Sequence, residues 1–411
     1  MDVRYSPQAE QFRQKVRAFL AEHLSSDWAG IGTLATDEVQ QFTDEWRALL
    51  YEHGFLGLAW PVEYGGGGLT KVEQLVLAEE MASVGVPAGS ANDLFSIKMV
   101  GNLLLKWGTE EQKRYFLPRI LSGEMRWCQG FSEPDAGSDL AGLKTRARLD
   151  GEQWRIDGQK MWTSEAATAN WIFLLVRTQP TAPKHQGLSF LLCPIDQPGI
   201  DVRPIKMLSG QSMFNEVFFT DARTDAANIV GGDGDGWAVA GTLLNHERGE
   251  EAAIHPILFR IELDRLLRLA RERGRAEDPL IRDRLAQCYL RGEIMRFLGY
   301  RILTTDLQNR GRLGPEVSIA KLYWSEYHQE VTSLALNILG ADAMVPIGRW
   351  PFRGVRADEP GAPNSSASWV GALYNSRGDT IYAGTSEIQR KILAESVLGL
   401  PKEGIRSPTR P

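Results

Sequence analysis

The hydrophobic period changes twice along this chain, and that order restricts the fold more than any single motif does. From the start to about residue 122, apolar residues recur at helical spacing. Phe12, Val16, Phe19 and Leu20 follow a Ser6-Pro7 helix start, and Thr109 with Gln112 has the spacing of a capping box. Near Gly123 the pattern shortens to strand-like runs at Trp171–Val176, Leu188–Leu192 and Val217–Phe219. Asp150-Gly151 and Asp157-Gly158 read there as hairpin-turn dipeptides. After Gly231-Gly232-Asp233-Gly234-Asp235-Gly236 the helical period returns and holds to about Leu400, with a Pro/Gly/Arg-rich interruption from about Val345 to Gly378. The predicted fold class is α+β. An N-terminal helical domain covers 1–122, a middle β-domain 123–232 and a C-terminal helical domain 233–400, followed by a disordered tail at 401–411.

Composition narrows the function classes. The 411 residues carry a formal net charge of -6, which argues against a nucleic-acid binder, because phosphate neutralisation needs clustered Lys and Arg. Cys128, Cys193 and Cys288 are too scattered for a disulfide framework or a zinc site and suit a reducing compartment. The first residues lack the apolar segment of a signal peptide, and no apolar run approaches the ~18 residues that span a bilayer. The expected location is cytoplasmic.

Several common catalytic motifs are missing. No Walker A sequence, no complete G-x-G-x-x-G and no G-x-S-x-G elbow occurs. His246-Glu247-Arg248-Gly249-Glu250 begins like a zinc-protease helix, but Glu250 stands where the second histidine must be, and no metal site is expected.

Three segments carry chemistry. On a helix starting near Trp237, Glu247 shares a face with Ala240, Leu243, Leu244 and Ile254. A carboxylate in an apolar stripe loses solvation, which raises its pKa and makes it a better base near neutral pH; pairing with a buried arginine is the alternative. Gln129–Asp139 concentrates small and hydroxyl residues at the entrance to the β-domain and offers N–H groups and serine oxygens to a polar heterocycle; an ordinary Pro-Gly turn is the alternative. In Tyr382–Arg390, Ser386 and Gln389 are spaced as a capping box, which predicts a helix start with Ile388, Ile392 and Leu393 on its apolar face. Such a start either holds a phosphate or is a plain cap.

Together, in this order, these segments resemble the acyl-CoA dehydrogenase family. The resemblance runs through Trp60–Leu69, Gly108–Lys113, Gln129–Asp139, Gly158–Ser164, Glu247-Arg248 and Gly384–Arg390, and so covers nearly the whole chain. It implies an N-terminal helical domain, a middle β-domain and a C-terminal four-helix bundle. It also implies FAD as cofactor. Gln129, Phe131 and Ser132 resemble the segment lining the flavin ring, and Trp162, Thr163 and Ser164 the strand that packs on it, with Ser164 near flavin N5. Thr385 and Glu387 match positions at the FAD phosphates or ribose. Ser138 matches a position beside the thioester, and Arg248 an arginine next to the active site.

Departures from the family pattern refine the expectation. Many members carry the catalytic glutamate where this chain has Ala383, and a minority place it at the position of Glu247, which reaches the same substrate carbon. The resemblance therefore makes Glu247 the base and leaves the N–H of Ala383, with the FAD ribityl hydroxyl, for the thioester carbonyl. The family's Q-x-x-G-G-x-G reads here as Asn337–Ala343, and its R-K-x-F-G segment as Arg273–Glu277. In the family these segments cross to the neighbour's FAD. Their loss resembles actinobacterial α2β2 enzymes, several of which act on steroid side-chain CoA thioesters. The expected activity is conversion of an acyl-CoA to trans-2-enoyl-CoA, with a homologous second subunit and an electron-transfer flavoprotein as partners. A non-catalytic partner subunit, and an acyl-CoA oxidase or flavin monooxygenase on the same fold, are the alternatives.

Overall fold

The computed structural model describes residues 5–35, 37–308, 316–348 and 361–401; the side chains of 245–253, 306 and 316 lie outside the described part. The tail expected at 401–411 is also outside it, except for Pro401. The chain divides into two compact units at Glu247/Arg248.

The first unit opens with helices whose starts are written locally. In α1 (Pro7–His23), Ser6 accepts from the N–H of Ala9 at 3.2 Å, and Pro7 occupies the first turn, where no N–H is missed. After α2 (Glu38–Glu52) and α3 (Lys71–Val84), a π-helical stretch, Leu94–Gly101, runs into α4 (Asn102–Trp107). At α5 (Glu110–Ser122) the capping box forms as predicted: Thr109 Oγ1 accepts from Gln112 N–H at 3.2 Å, and Gln112 Oε1 accepts from Thr109 N–H at 3.1 Å. Arg47 ties three of these pieces together. It meets Asp93 with two contacts of 2.8 Å and also donates to the carbonyls of Ile120 and Leu121.

Eight strands follow: β1 (Trp127–Gly130), β2 (Arg146–Asp150), β3 (Gln153–Ser164), β4 (Trp171–Arg177), β5 (Leu188–Pro194), β6 (Ile200–Ile205), β7 (Phe214–Asp225) and β8 (Ile229–Val230). They form one sheet in the order β6-β7-β3-β2-β4-β5-β8, with β1 parallel to β4. The apolar run in β4 has a direct cause. Phe173 and Leu175 enter the core shared with the N-terminal helices, whereas Ile172, Leu174 and Val176 enter a second core on the other face.

One turn expectation is correct and one is not. Asp150-Gly151 closes the β2–β3 hairpin, with Asp150 opposite Gln153. Asp157-Gly158 does not turn; it lies inside β3, where the register against β7 shifts between Ile156 and Gly158. Glycine is needed there for another reason. At φ +147° a Cβ would fall 2.6 Å from Thr145 Oγ1, so the residue allows a close approach rather than a reversal.

The first turns of α6 (Gly236–Glu272) bury Val239, Ala240 and Leu243 in the first unit. In the second unit, the rest of α6 packs with α7 (Pro279–Gln308), α8 (Glu316–Leu339) and α9 (Ser366–Asp379) around Phe259, Leu263, Leu266, Tyr327, Leu334 and Trp369. Helix α9 corrects the expected interruption at 345–378. Its Ser, Gly and Asn residues have weak helix propensity, but burial of Trp369, Val370 and Ala372 sustains it. Residues 349–360 of that interruption lie outside the described part. The fold is α+β: an N-terminal helical domain, a middle β-sheet domain and a C-terminal helical domain. Among the described residues no helix is long and apolar enough to cross a membrane.

Candidate active site

The loop after β1 is held by a buried ion pair. Glu133 Oε1 accepts from Lys160 Nζ at 2.9 Å and from Thr145 N–H at 2.8 Å, and Glu133 Oε2 accepts from Lys144 N–H at 2.6 Å. Lys160, fully buried on β3, also donates to the carbonyls of Phe131 at 3.0 Å and Leu175 at 2.8 Å. All three ammonium hydrogens therefore have acceptors. Burial works against the Glu133 charge, but Lys160 and the N–H donors outweigh it and hold the carboxyl below its usual range. The sequence reading assigns neither residue a role, and its one signal for the pair is that Lys160 has the strand parity of the inward-facing Trp154 and Ile156.

This anchoring sets what the predicted flavin-lining residues present. Phe131 turns its ring into the core against Phe173 and Phe190, at centroid distances of 6.0 and 6.1 Å, so the ring faces away from any ligand on the loop. Ser132 is half-buried, and its carbonyl accepts from Met161 N–H at 2.9 Å, which brings it beside the end of β3. Gln129, opposite Phe173 on β4, is half-buried too. Ser138 is exposed beyond the Glu133–Ala136 turn.

At that strand end the backbone is strained. Trp162 and Glu165 take φ +61° and +56°, bracketing Thr163 and Ser164, and the register against β7 shifts between Lys160 and Thr163. A left-handed non-glycine residue costs about 1–2 kcal/mol and persists only where its surroundings impose it. The bulge leaves Trp162 53% exposed at the sheet end while Thr163 is fully buried. Asn215 Nδ2 donates to the Thr163 carbonyl at 3.0 Å, yet Thr163 Oγ1 and Asn215 Oδ1 have no partner among the described residues.

The helix carrying Glu247 and Arg248 begins at a pinned loop. Asp233 accepts from Thr178 Oγ1 at 2.5 Å, Ser189 Oγ at 2.9 Å and Gln179 Nε2 at 2.9 Å. These donors outweigh burial and keep its carboxyl below the ordinary range. Gly236 lets α6 start against β5, since a Cβ there would lie 2.6 Å from the Ser189 backbone. Glu247 follows about three turns later. Glu247 and Arg248 are helical, and their side chains lie outside the described residues.

In the second unit Ala383, Thr385 and Glu387 share one turn. Ala383 takes φ +50° and Gly384 φ +87°, and among the described residues the Ala383 N–H has no acceptor. Gln389, fully buried, braces the turn by donating to the carbonyls of Ala383 at 3.2 Å and Gly384 at 3.4 Å. The helix cap differs from the expected Ser386–Gln389 box. In α10 (Ser386–Ile392) the N-cap is Thr385, which accepts from Ile388 N–H at 3.1 Å, and Gln389 serves the turn instead. Ile388, Ile392 and Leu393 are half-buried. Thr385 keeps its hydroxyl hydrogen for a further acceptor, while Glu387 is exposed and paired with Arg390 at 3.3 Å. Away from the turn, Arg273 and Asp342, one from each of the two altered segments, form an ion pair with each other.

The candidate residues lie at a β-sheet end in the first unit and at a turn of positive-φ residues in the second. The chain belongs to the acyl-CoA dehydrogenase family and is an oxidoreductase acting on acyl-CoA. The family's N-terminal, middle and C-terminal domain models match residues 6–124, 128–222 and 234–398. Acyl-CoA dehydrogenase IpdE1 of Mycobacterium tuberculosis is 41% identical over 399 residues, spanning 96% of this chain and 98% of the relative. Among solved structures, the Tcur3481-Tcur3483 steroid ACAD superposes with a TM-score of 0.80 at 32% identity, covering 98% of this chain and 100% of the matched one. The ChsE4-ChsE5 complex of Mycobacterium tuberculosis gives a TM-score of 0.78 at 29% identity, with 98% and 100% covered. The family is generally flavin-dependent.

Proposed function

We propose that this chain is the base-carrying subunit of an FAD-dependent acyl-CoA dehydrogenase that converts an acyl-CoA thioester to its trans-2-enoyl-CoA. The observation that carries the reading is Ala383, a side chain that cannot take a proton, in a left-handed turn whose N–H has no acceptor among the described residues. The base must then come from elsewhere. Glu247 stands at helical spacing from the buried Ala240 and Leu243 on α6.

In this reading Glu247 removes the α-proton. The Ala383 N–H donates to the thioester carbonyl, where charge develops as the proton leaves, and stabilises it. Bound FAD supplies the acceptor for the β-hydrogen as hydride, and an electron-transfer flavoprotein takes the electrons onward. Gln129, the Phe131 backbone, Ser132, Trp162, Thr163 and Ser164 are assigned to the flavin ring, Thr385 and Glu387 to its phosphates or ribose, and Ser138 and Arg248 to the substrate. The residues present fit such a group: Thr163 Oγ1 and Asn215 Oδ1 are buried polar atoms without partners among the described residues, at the bulge that exposes Trp162.

The pair between Arg273 and Asp342 supports a second subunit. Asp342, standing in one of the altered segments, places a carboxylate beside Arg273 and so competes with a partner's pyrophosphate for it. A homologous subunit with intact segments would supply that contact. Two solved relatives, the Tcur3481-Tcur3483 steroid ACAD and the ChsE4-ChsE5 complex, favour the same arrangement and a steroid side-chain CoA ester as substrate.

A panel of CoA esters from short linear to steroid, mixed anaerobically with the chain and its co-expressed partner, tests the reading. Fast bleaching of the flavin by a steroid side-chain ester, with formation of its 2-enoyl product, is expected. Absence of bleaching with every ester contradicts it.

A further inference from the structure

Behind the Tyr382–Ala383 turn lies a row of buried charged groups that the proposed chemistry does not use. Glu262 on α6, His328 on α8 and Asp379 at the end of α9 are all buried. His328 Nδ1 bonds Asp379 Oδ2, and its Nε2 lies 3.2 Å from Glu262 Oε1. An imidazole with a carboxylate at each nitrogen is held protonated. Burial alone would lower its pKa, but the Glu262 charge and the Asp379 hydrogen bond overcome that and raise it to about 10.

The row leads to the turn. Asp379 Oδ1 accepts from the Tyr382 hydroxyl at 2.6 Å, and the Asp379 carbonyl accepts from Lys321 Nζ at 2.7 Å. Gln329, next to His328 on α8, donates to Thr380 Oγ1 at 3.0 Å, and Ser386 N–H donates to the Thr380 carbonyl at 3.0 Å. Tyr382 directly precedes Ala383, whose φ of +50° an alanine does not choose for itself.

We propose that His328 is a positioning residue: clamped by Glu262, it fixes Asp379, which through the Tyr382 hydroxyl sets the left-handed turn that offers the Ala383 N–H to the substrate carbonyl. This rests on the reading of that N–H as the carbonyl donor. A buried row of charges is a weak source of net stability compared with apolar packing of the same volume. This one ends at the residue beside Ala383, and that placement points to orientation as its role.

The experiment uses the holoenzyme with its partner subunit. Tyr382→Phe removes one oxygen and keeps the ring, and His328→Gln removes the charge. For each variant, kcat, KM and the melting temperature are measured. The infrared C=O stretch is recorded for bound 2-enoyl-CoA, labelled with 13C at the carbonyl and made from the ester that bleaches the flavin fastest. Tyr382→Phe is expected to lower kcat roughly tenfold or more with KM little changed, since small misplacements of an aligned group are costly. It should also move the C=O stretch toward its value in water. Adding Ala383→Gly, which takes the left-handed turn freely, should recover much of the loss, as it would not if the row served stability alone. A C=O stretch that is red-shifted in the wild type and unchanged in both variants overturns the positioning role. A stretch that is not red-shifted in the wild type overturns the donor reading itself, and this proposal with it.

Discussion

Lys160 Nζ lies 2.9 Å from Glu133 Oε1, with the two side chains 0% and 7% exposed. This contact joins the loop after β1 to the strand that bulges at Trp162, so one ion pair sets the spacing of both predicted flavin-lining segments. Removing one member of a buried pair leaves the other charge uncompensated, at a cost of about 3–5 kcal/mol. Lys160→Met should therefore destabilise the chain by that order and reduce its bound flavin. Lys160→Met combined with Glu133→Leu should regain part of the stability. Denaturant unfolding and flavin absorbance check both; a single variant as stable as the wild type contradicts the role given to the pair.

The His328 row gives a pH dependence with a definite sign. The histidine pKa rises from 6.5 to about 10 on folding, so the folded state holds a proton that the unfolded state releases between those values. Its stabilising contribution is full below pH 6.5 and falls as pH climbs through about 10. Glu262 from α6, Asp379 from α9, Lys321 from α8 and the Tyr382 hydroxyl are the ionisable groups in this network. Lys160 titrates in the opposite sense, since burial lowers it to about 8, and the effect is therefore read as the wild type minus His328→Gln, which retains Lys160. The stability difference should shrink from pH 6.5 to pH 10. A difference that is constant or grows over that range contradicts the assignment.

Assembly is testable with the chain expressed alone. With both crossing segments altered and Asp342 competing for Arg273, the chain should complete a second copy's cofactor site poorly, and most FAD should be lost on purification. Native mass measurement with flavin quantification is expected to show flavin retention only with a homologous partner, as α2β2 with about two FAD per tetramer. A stable homotetramer holding one FAD per chain refutes the need for a partner.

What the sequence conveyed divides by the range of the forces involved. The starts at Ser6 and Thr109 were legible because a cap is settled within four residues. The β4 and β5 runs were legible because burial on both faces leaves a plain apolar signature. Gly158 is not legible as a close approach because its role depends on Thr145, a residue just ahead of β2 and thirteen positions away in the chain. Helix α9 was missed because packing of Trp369 and its neighbours overrides weak local propensity. The box expected at Ser386 moved to Thr385 because the Gln389 side chain is drawn to the turn carbonyls. The row of Glu262, His328 and Asp379 joins residues 66 and 51 positions apart, and no local pattern marks such a meeting.

The central claim is that Glu247 is the base, and its most direct test is the rate of flavin reduction after anaerobic mixing with the best ester. Glu247→Gln keeps the size and polarity of the side chain and loses only the ability to take a proton. The variant complex should stay folded and yellow and reduce its flavin about 1,000-fold more slowly or worse, within or beyond the usual contribution of a general base. Reduction at near the wild-type rate would show that the α-proton leaves to another group and that Glu247 is not the base.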